Sequence, residues 1–249
     1  MKPLLLFFIM IPALGFGQVW DDFSDGNFTQ NPSWSGDISQ FEVNEDFQLQ
    51  LNSEGEDVSH LATLFSMDQE TEWRFFIDCS FSPSANNNAR FYLAADALNL
   101  ENPQTGYFLQ FGESGSDDAI ELFRQNGETT TSICRGTNGL ISSSFELWIR
   151  VRKDAQGNWT VEADPAGNGA YVTEATGSDN SINSSSYLGL VCTYTTSNAD
   201  NFYFDDVYAG PFVLDTDPPE LQQISVISEN SLELVFNEAL DAQPAEDVA

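Results

Sequence analysis

From Trp73 to Phe81 the side chains alternate: Trp73, Phe75, Ile77, Cys79 and Phe81 point one way, and Arg74, Asp78 and Ser80 the other. A period of two marks a strand buried on one face. The same signature returns at 47–51, 61–66, 90–94, 107–111, 119–124, 145–153, 159–163, 187–194 and 202–208. Between these runs lie turn-rich segments such as Ser84–Asn88, Asn126-Gly127 and Gln156-Gly157-Asn158. Outside the amino-terminal segment nothing sustains a helical period. Short, regularly spaced strands with Gly/Asn turns require a sandwich or a barrel. The fold class expected is therefore all-β, one antiparallel domain from Gln18 to Phe212. Within it, Phe145–Lys153 and Trp159–Ala163 form a hairpin around Gln156–Asn158.

The amino terminus sets the compartment. Met1-Lys2 is followed by an apolar run from Leu4 to Leu14, and then by Gly15-Phe16-Gly17. That is a signal peptide (1–17) cleaved before Gln18, too short to span a bilayer. The mature chain is thus expected to be secreted or held at the cell surface, with no membrane insertion. A linker at 213–219 contains Asp217-Pro218-Pro219, whose prolines stop pairing. Beyond it, Leu221–Ile227 and Leu232–Phe236 read as two more strands. A lone hairpin is marginal in water, so 220–249 is expected to be a truncated domain with further domains downstream.

Eight basic residues stand against 39 acidic ones, a formal charge of −31. Such a field repels phosphate backbones and anionic headgroups, which argues against nucleic-acid and membrane partners and in favour of bound cations. With 41% hydrophobic and 13% aromatic residues the chain still has ample material for a core. Cys79, Cys134 and Cys192 allow at most one intramolecular bridge. His60 is the only histidine. It reads as a partly exposed strand residue, and no spacing resembles a zinc site.

Three segments carry a family resemblance: Asp21-Asp22-Phe23-Ser24-Asp25-Gly26-Asn27-Phe28, Lys153-Asp154-Ala155-Gln156-Gly157-Asn158-Trp159, and Phe202-Tyr203-Phe204-Asp205-Asp206-Val207. They resemble concanavalin A-like lectin/glucanase domains, in particular those opening secreted Bacteroidota surface proteins of the lamin-tail-associated type. Asp217 to Asp241 is similar to the first strands of bacterial Ig-like domains. The resemblance implies a jelly roll of two antiparallel sheets with a carbohydrate-binding face, often with a structural calcium. It also implies pairing of the first and last strands. That pairing would bring Asp22 and Asp25 to Asp206, the metal ligands expected here, with Asp206 sharing the inward face of Phe204.

The catalytic branch of that family works with a Glu-x-Asp-x-x-Glu strand, whose carboxylates share one face. The nearest fragment here, Glu162-Ala163-Asp164, runs into Pro165-Ala166-Gly167 without the second glutamate. The chain is therefore expected to be non-catalytic. Apart from Lys2, every base lies between Arg74 and Lys153. Arg74, Arg90, Tyr92, Trp148, Arg150 and Arg152 are the expected ligand-binding set, because guanidinium groups beside aromatic rings suit sugar hydroxyls and sugar faces. The bland alternative pairs each arginine with a neighbouring acid. Three functions fit these residues: a module binding polysaccharide, a cell-surface glycan or another extracellular ligand, a structural spacer of an adhesin, and a glycosidase with a non-standard acid pair.

Overall fold

The computed structural model describes residues 18–213 and 219–236; the expected signal peptide 1–17, most of the expected linker (214–218) and 237–249 lie outside the described residues. The first strands are short: β1 (Val19–Asp21), β2 (Ser35–Gly36), β3 (Phe41–Val43) and β4 (Leu49–Leu51). Longer ones follow: β5 (Asp57–Leu64), β6 (Thr71–Cys79), β7 (Asn88–Ala95), β8 (Gln104–Phe111), β9 (Ile120–Gly127) and β10 (Thr129–Arg135). The sandwich is completed by β11 (Phe145–Lys153), β12 (Asn158–Asp164), β13 (Val172–Ser178), β14 (Tyr187–Tyr194) and β15 (Phe202–Gly210). Last come β16 (Leu221–Ser228) and β17 (Ser231–Phe236). Among the described residues helix is confined to single turns at Ile38–Gln40 and Thr196–Asn198, and no helix is long and apolar enough to cross a membrane.

Two antiparallel sheets make the sandwich. The first runs β13-β12-β11-β6-β15-β4-β3, with β1 also paired to β15, and the second runs β10-β9-β8-β7-β14-β5-β2. The β11–β12 hairpin forms in the register Lys153↔Trp159, as its Gly-Asn turn requires. The β16–β17 hairpin makes a separate two-stranded sheet.

Alternation decides what each strand buries. From β6, Trp73, Phe75, Ile77 and Cys79 face the interior, none more than 1% exposed. They meet β7 of the opposite sheet: Phe75 stacks on Phe91 with centroids 3.8 Å apart, and the Trp73 indole N–H donates to the Leu93 carbonyl at 2.9 Å. Trp73 also stacks on Trp159 of β12 at 5.6 Å. Such buried aromatics dominate the energetics of a sandwich core. The three cysteines are free and buried, and burial pushes the Cys79 thiol well up, leaving it an apolar filler.

Besides the short β1, β2 and β3, two longer strands escape the period-of-two reading. β10 and β13 are mostly exposed and rich in threonine and serine. They are the edges of the two sheets on the same side of the sandwich, so polar residues are tolerated on both of their faces. The expected inward orientation of Asp206 is also corrected. The register of β15 against β6 shifts between Asp205 and Tyr208, and Asp206 sits at φ 50°. This bulge inserts an extra residue. Phe204 and Val207 are thus both buried, while Asp205 and Asp206 both lie on the outer side.

Candidate ligand-binding face

The outer surface of the first sheet collects residues that alternation turns away from the core. In the β6–β11 register Trp148 lies opposite Phe76, Arg150 opposite Arg74, and Arg152 opposite Glu72. On the other flank, β12 sets Glu162 opposite Arg150 and Asp164 opposite Trp148. Two arginines directly opposite one another repel, and two glutamates resolve the conflict. The Glu72 carboxylate, with no exposed surface, accepts from Arg74 Nε and from Arg152 Nε, the latter at 2.6 Å. Glu162 takes Arg150 in a two-point pair, Nε at 2.6 Å and Nη2 at 3.1 Å. Arg150 also lies over the Tyr171 ring, 4.2 Å from its centroid. Each of these arginines spends one or two of its five N–H donors within the fold. The guanidinium planes are therefore held in place beside half-buried Trp148 and Tyr171.

Trp148 joins this array to a group of aspartates. Its indole is 4.6 Å from the Phe76 ring. At Gly167 a Cβ would come within 2.7 Å of the Trp148 ring, and φ is 62° there, so glycine alone lets this loop close over the indole. Pairing of β1 with β15 (Asp21↔Val207) brings Asp21 and Asp22 up to the bulge. Burial pushes the Asp205 carboxyl up to about 7, with repulsion from Asp206, Asp22 and Asp21 adding to the effect and the Asp206 N–H opposing it. Burial likewise raises Asp21 to about 6, against hydrogen bonds from Trp34 and the Phe23 N–H. Asp206 is raised by burial and by Asp22, and Trp148 pulls the other way. The expected metal ligands are thus brought together in part. Asp22 and Asp206 interact, but Asp22 accepts from Ser24 and Asp25 from the Asn27 N–H, each closing its own turn. These three aspartates do not bring their oxygens within 4.8 Å of one another.

The six expected ligand residues do not share a face. Arg74, Trp148, Arg150 and Arg152 belong to the first sheet, whereas Arg90 and Tyr92 lie on β7 in the second. There Arg90 sits over the Phe108 ring at 5.1 Å. Tyr92 is buried, its hydroxyl donating to Gln125 Oε1 at 2.8 Å. Phe108, Phe123 and Leu100 pack around it in a small cluster outside the main core. Alternation gives the side of a strand but not the sheet it joins.

His60 corrects the sequence reading further. It is buried rather than partly exposed, and its Nδ1 lies 2.9 Å from both Asp37 Oδ2 and Glu101 Oε1. Among the described residues this is the group of three whose ligand atoms all lie within 4.8 Å of one another. Separations of 23 and 41 residues along the chain hid it from any spacing motif.

No family model and no curated protein matches the chain. Solved structures do. The Emp47p carbohydrate recognition domain is 15% identical with a TM-score of 0.59, covering 79% of this chain and 95% of that one. The VIP36 exoplasmic/lumenal domain bound to calcium and Man3GlcNAc is 11% identical with a TM-score of 0.57, covering 81% and 91%. Lectin UEA-II complexed with galactose is 11% identical with a TM-score of 0.54, covering 78% and 97%. Identities this low establish architecture and nothing finer. The chain is an all-β, two-sheet antiparallel sandwich with the concanavalin A-like lectin fold.

Proposed function

We propose that the sandwich is a non-catalytic carbohydrate-binding module of a secreted or cell-surface protein, followed by an Ig-like domain that opens at β16. The observation that carries this reading is the outer face of the first sheet. There Trp148 and Tyr171 supply ring faces, and Arg74, Arg150 and Arg152 supply oriented donors, on a fold whose solved examples include sugar-bound lectins. Aromatic faces stack on the apolar side of a pyranose, while fixed guanidinium donors read its hydroxyls. The absence of a Glu-x-Asp-x-x-Glu run supports binding without hydrolysis. Glycan-array screening of the secreted protein is expected to give hits that Trp148→Ala weakens at least tenfold, about 1.4 kcal/mol. Binding that survives this change would move the site elsewhere, and release of reducing sugar from a bound polysaccharide would replace the reading with a glycosidase.

A second reading, a structural spacer, is favoured by one specific observation. Every arginine on that face already has a glutamate partner. An array without hits on folded protein would support it.

Structural calcium at Asp22, Asp25 and Asp206 belongs to the same proposal. Its support is the β1–β15 pairing and the mutual repulsion of Asp22 and Asp206. A cation there would tie the first strand to the last. Saturating calcium at a hundredfold excess over its dissociation constant would stabilise the fold by about 2.7 kcal/mol. Chelator is then expected to lower the melting temperature of the wild type and leave Asp206→Ala unmoved. Superimposable melting curves for the wild type would leave these aspartates as turn acids.

A further inference from the structure

We propose that Asp37, His60 and Glu101 form a binding site for a borderline first-row divalent cation of the zinc class, on the outer side of the second sheet and separate from the aspartates at the bulge. Three distant segments supply the donors. Asp37 follows β2 and precedes the turn Ile38–Gln40, His60 lies in β5, and Glu101 lies in the loop between β7 and β8. His60 shares the outward face of Ala62 and is paired with Val191 of β14, so its ring rests on the sheet and only 7% of its side chain is exposed. The backbone holds it there. The Asp37 N–H donates to the His60 carbonyl at 2.9 Å, and the His60 N–H donates to Asp37 Oδ2 at 2.9 Å. Gly36 permits this approach: φ is 134°, and a Cβ would stand 2.4 Å from the His60 carbonyl oxygen and 3.1 Å from the ring.

The donor geometry points to a cation. One ring nitrogen faces two carboxylate oxygens, each at 2.9 Å. An imidazole Nδ1 carries at most one proton, which cannot make two full hydrogen bonds, so two carboxylate oxygens converge on one nitrogen, Asp37 Oδ2 being held there by the His60 N–H as well. Metal–ligand bonds of about 2.1 Å to imidazole nitrogen and carboxylate oxygen place neighbouring donors about 3.4 Å apart in the tetrahedron that zinc prefers and about 3.0 Å apart in a six-coordinate shell completed by water. The observed 2.9 Å spacings match the six-coordinate edge and lie about 0.5 Å inside the tetrahedral one, a distance the two part-exposed carboxylates can open. The donor type selects the class: a calcium ion takes oxygen ligands, whereas an imidazole nitrogen with carboxylates suits zinc and its first-row neighbours. Asp37 and Glu101 are 38% and 37% exposed, so water has access to complete the shell. A bound ion would fasten the β2 turn and the β7–β8 loop to β5.

His60, the only histidine in the chain, is its own probe. Mature protein without a histidine tag, stripped of metal, is titrated with Zn2+ and followed by calorimetry and by the imidazole nitrogen resonances. The expected result is one ion per chain at micromolar affinity, with the Nδ1 resonance shifted and Ca2+ at equal concentration unable to displace the zinc. Glu101→Gln, an exposed change that leaves the sandwich folded, is expected to weaken binding at least tenfold, and His60→Gln to abolish it. Ring resonances unmoved by excess Zn2+ would overturn the proposal. So would displacement by Ca2+, or zinc binding equal in the wild type and Glu101→Gln.

Discussion

Glu72→Ala is expected to destabilise the sandwich by about 3–5 kcal/mol, the cost of removing one partner from a buried ion pair. Glu72 has no exposed surface and serves both Arg74 and Arg152. Without it those two guanidinium groups and Arg150, which lies opposite Arg74, face one another across β6 and β11 with Glu162 as the remaining carboxylate partner. Arg152→Ala removes a charge that is 35% exposed and leaves Glu72 paired with Arg74, so its cost is expected to be about 1 kcal/mol or less. At roughly 2–4 °C per kcal/mol for a domain of this size, Glu72→Ala should melt about 6–20 °C below the wild type. Urea unfolding of both variants checks the contrast. Equal and small losses would show that the carboxylate is solvated in solution and that the arginine array is not held by it.

Acidification from pH 8 to about 5 is expected to stabilise the metal-free protein. Asp21 and Asp205 have folded values near 6 and 7, above the ordinary carboxylate value of 3.8. Between about 4 and 7 the folded state therefore holds protons that the unfolded state has released, and stability falls as pH rises through that window. A two-unit shift amounts to about 2.7 kcal/mol. For Asp21, which is 7% exposed, on the order of 2 kcal/mol is a fair share of that, and partly open Asp205 contributes a further, more screened amount. Below about pH 4 the trend reverses. Asp22, Asp154 and Asp179 lie below the ordinary value through hydrogen bonds to their charged forms, so the stability they contribute is lost as pH falls through their folded values. Melting temperature in chelator, scanned from pH 8 to 4.5, should rise by roughly 5 °C or more. Asp205→Asn should raise the pH 8 value and flatten the scan. A melting temperature that falls steadily on acidification would mean that these carboxylates are hydrated in the folded protein.

The core strands were legible because one buried face imprints a period of two. Phe145–Lys153 and Tyr187–Tyr194 have the boundaries that alternation gives. Edge strands β10 and β13 left no such imprint, since neither has a face that must be wholly apolar. The candidate site was legible only by strand. Trp148, Arg150 and Arg152 follow one another at every second position and had to share a face, as did Arg90 and Tyr92. That Arg74 joins the first group, and that Arg90 and Tyr92 lie on the other sheet, depends on pairings between residues far apart in the chain. The bulge at Asp205-Asp206 obeys no local pattern either: it follows from seating Phe204 and Val207 in the same core.

By itself, then, the sequence determined the all-β class, the buried side of the core strands as far as the bulge in β15, the β11–β12 hairpin and the acidic character of the surface. These are set by neighbours within a few residues, through side-chain period and turn chemistry. Only the tertiary structure decided which strands pair, which arginines meet which glutamates, and that His60 stands between Asp37 and Glu101. Apart from Arg74–Glu72, neighbours on one strand, those contacts join residues 12 to 80 apart. Their formation depends on hydrogen-bond registers and core packing that no local stretch of sequence encodes.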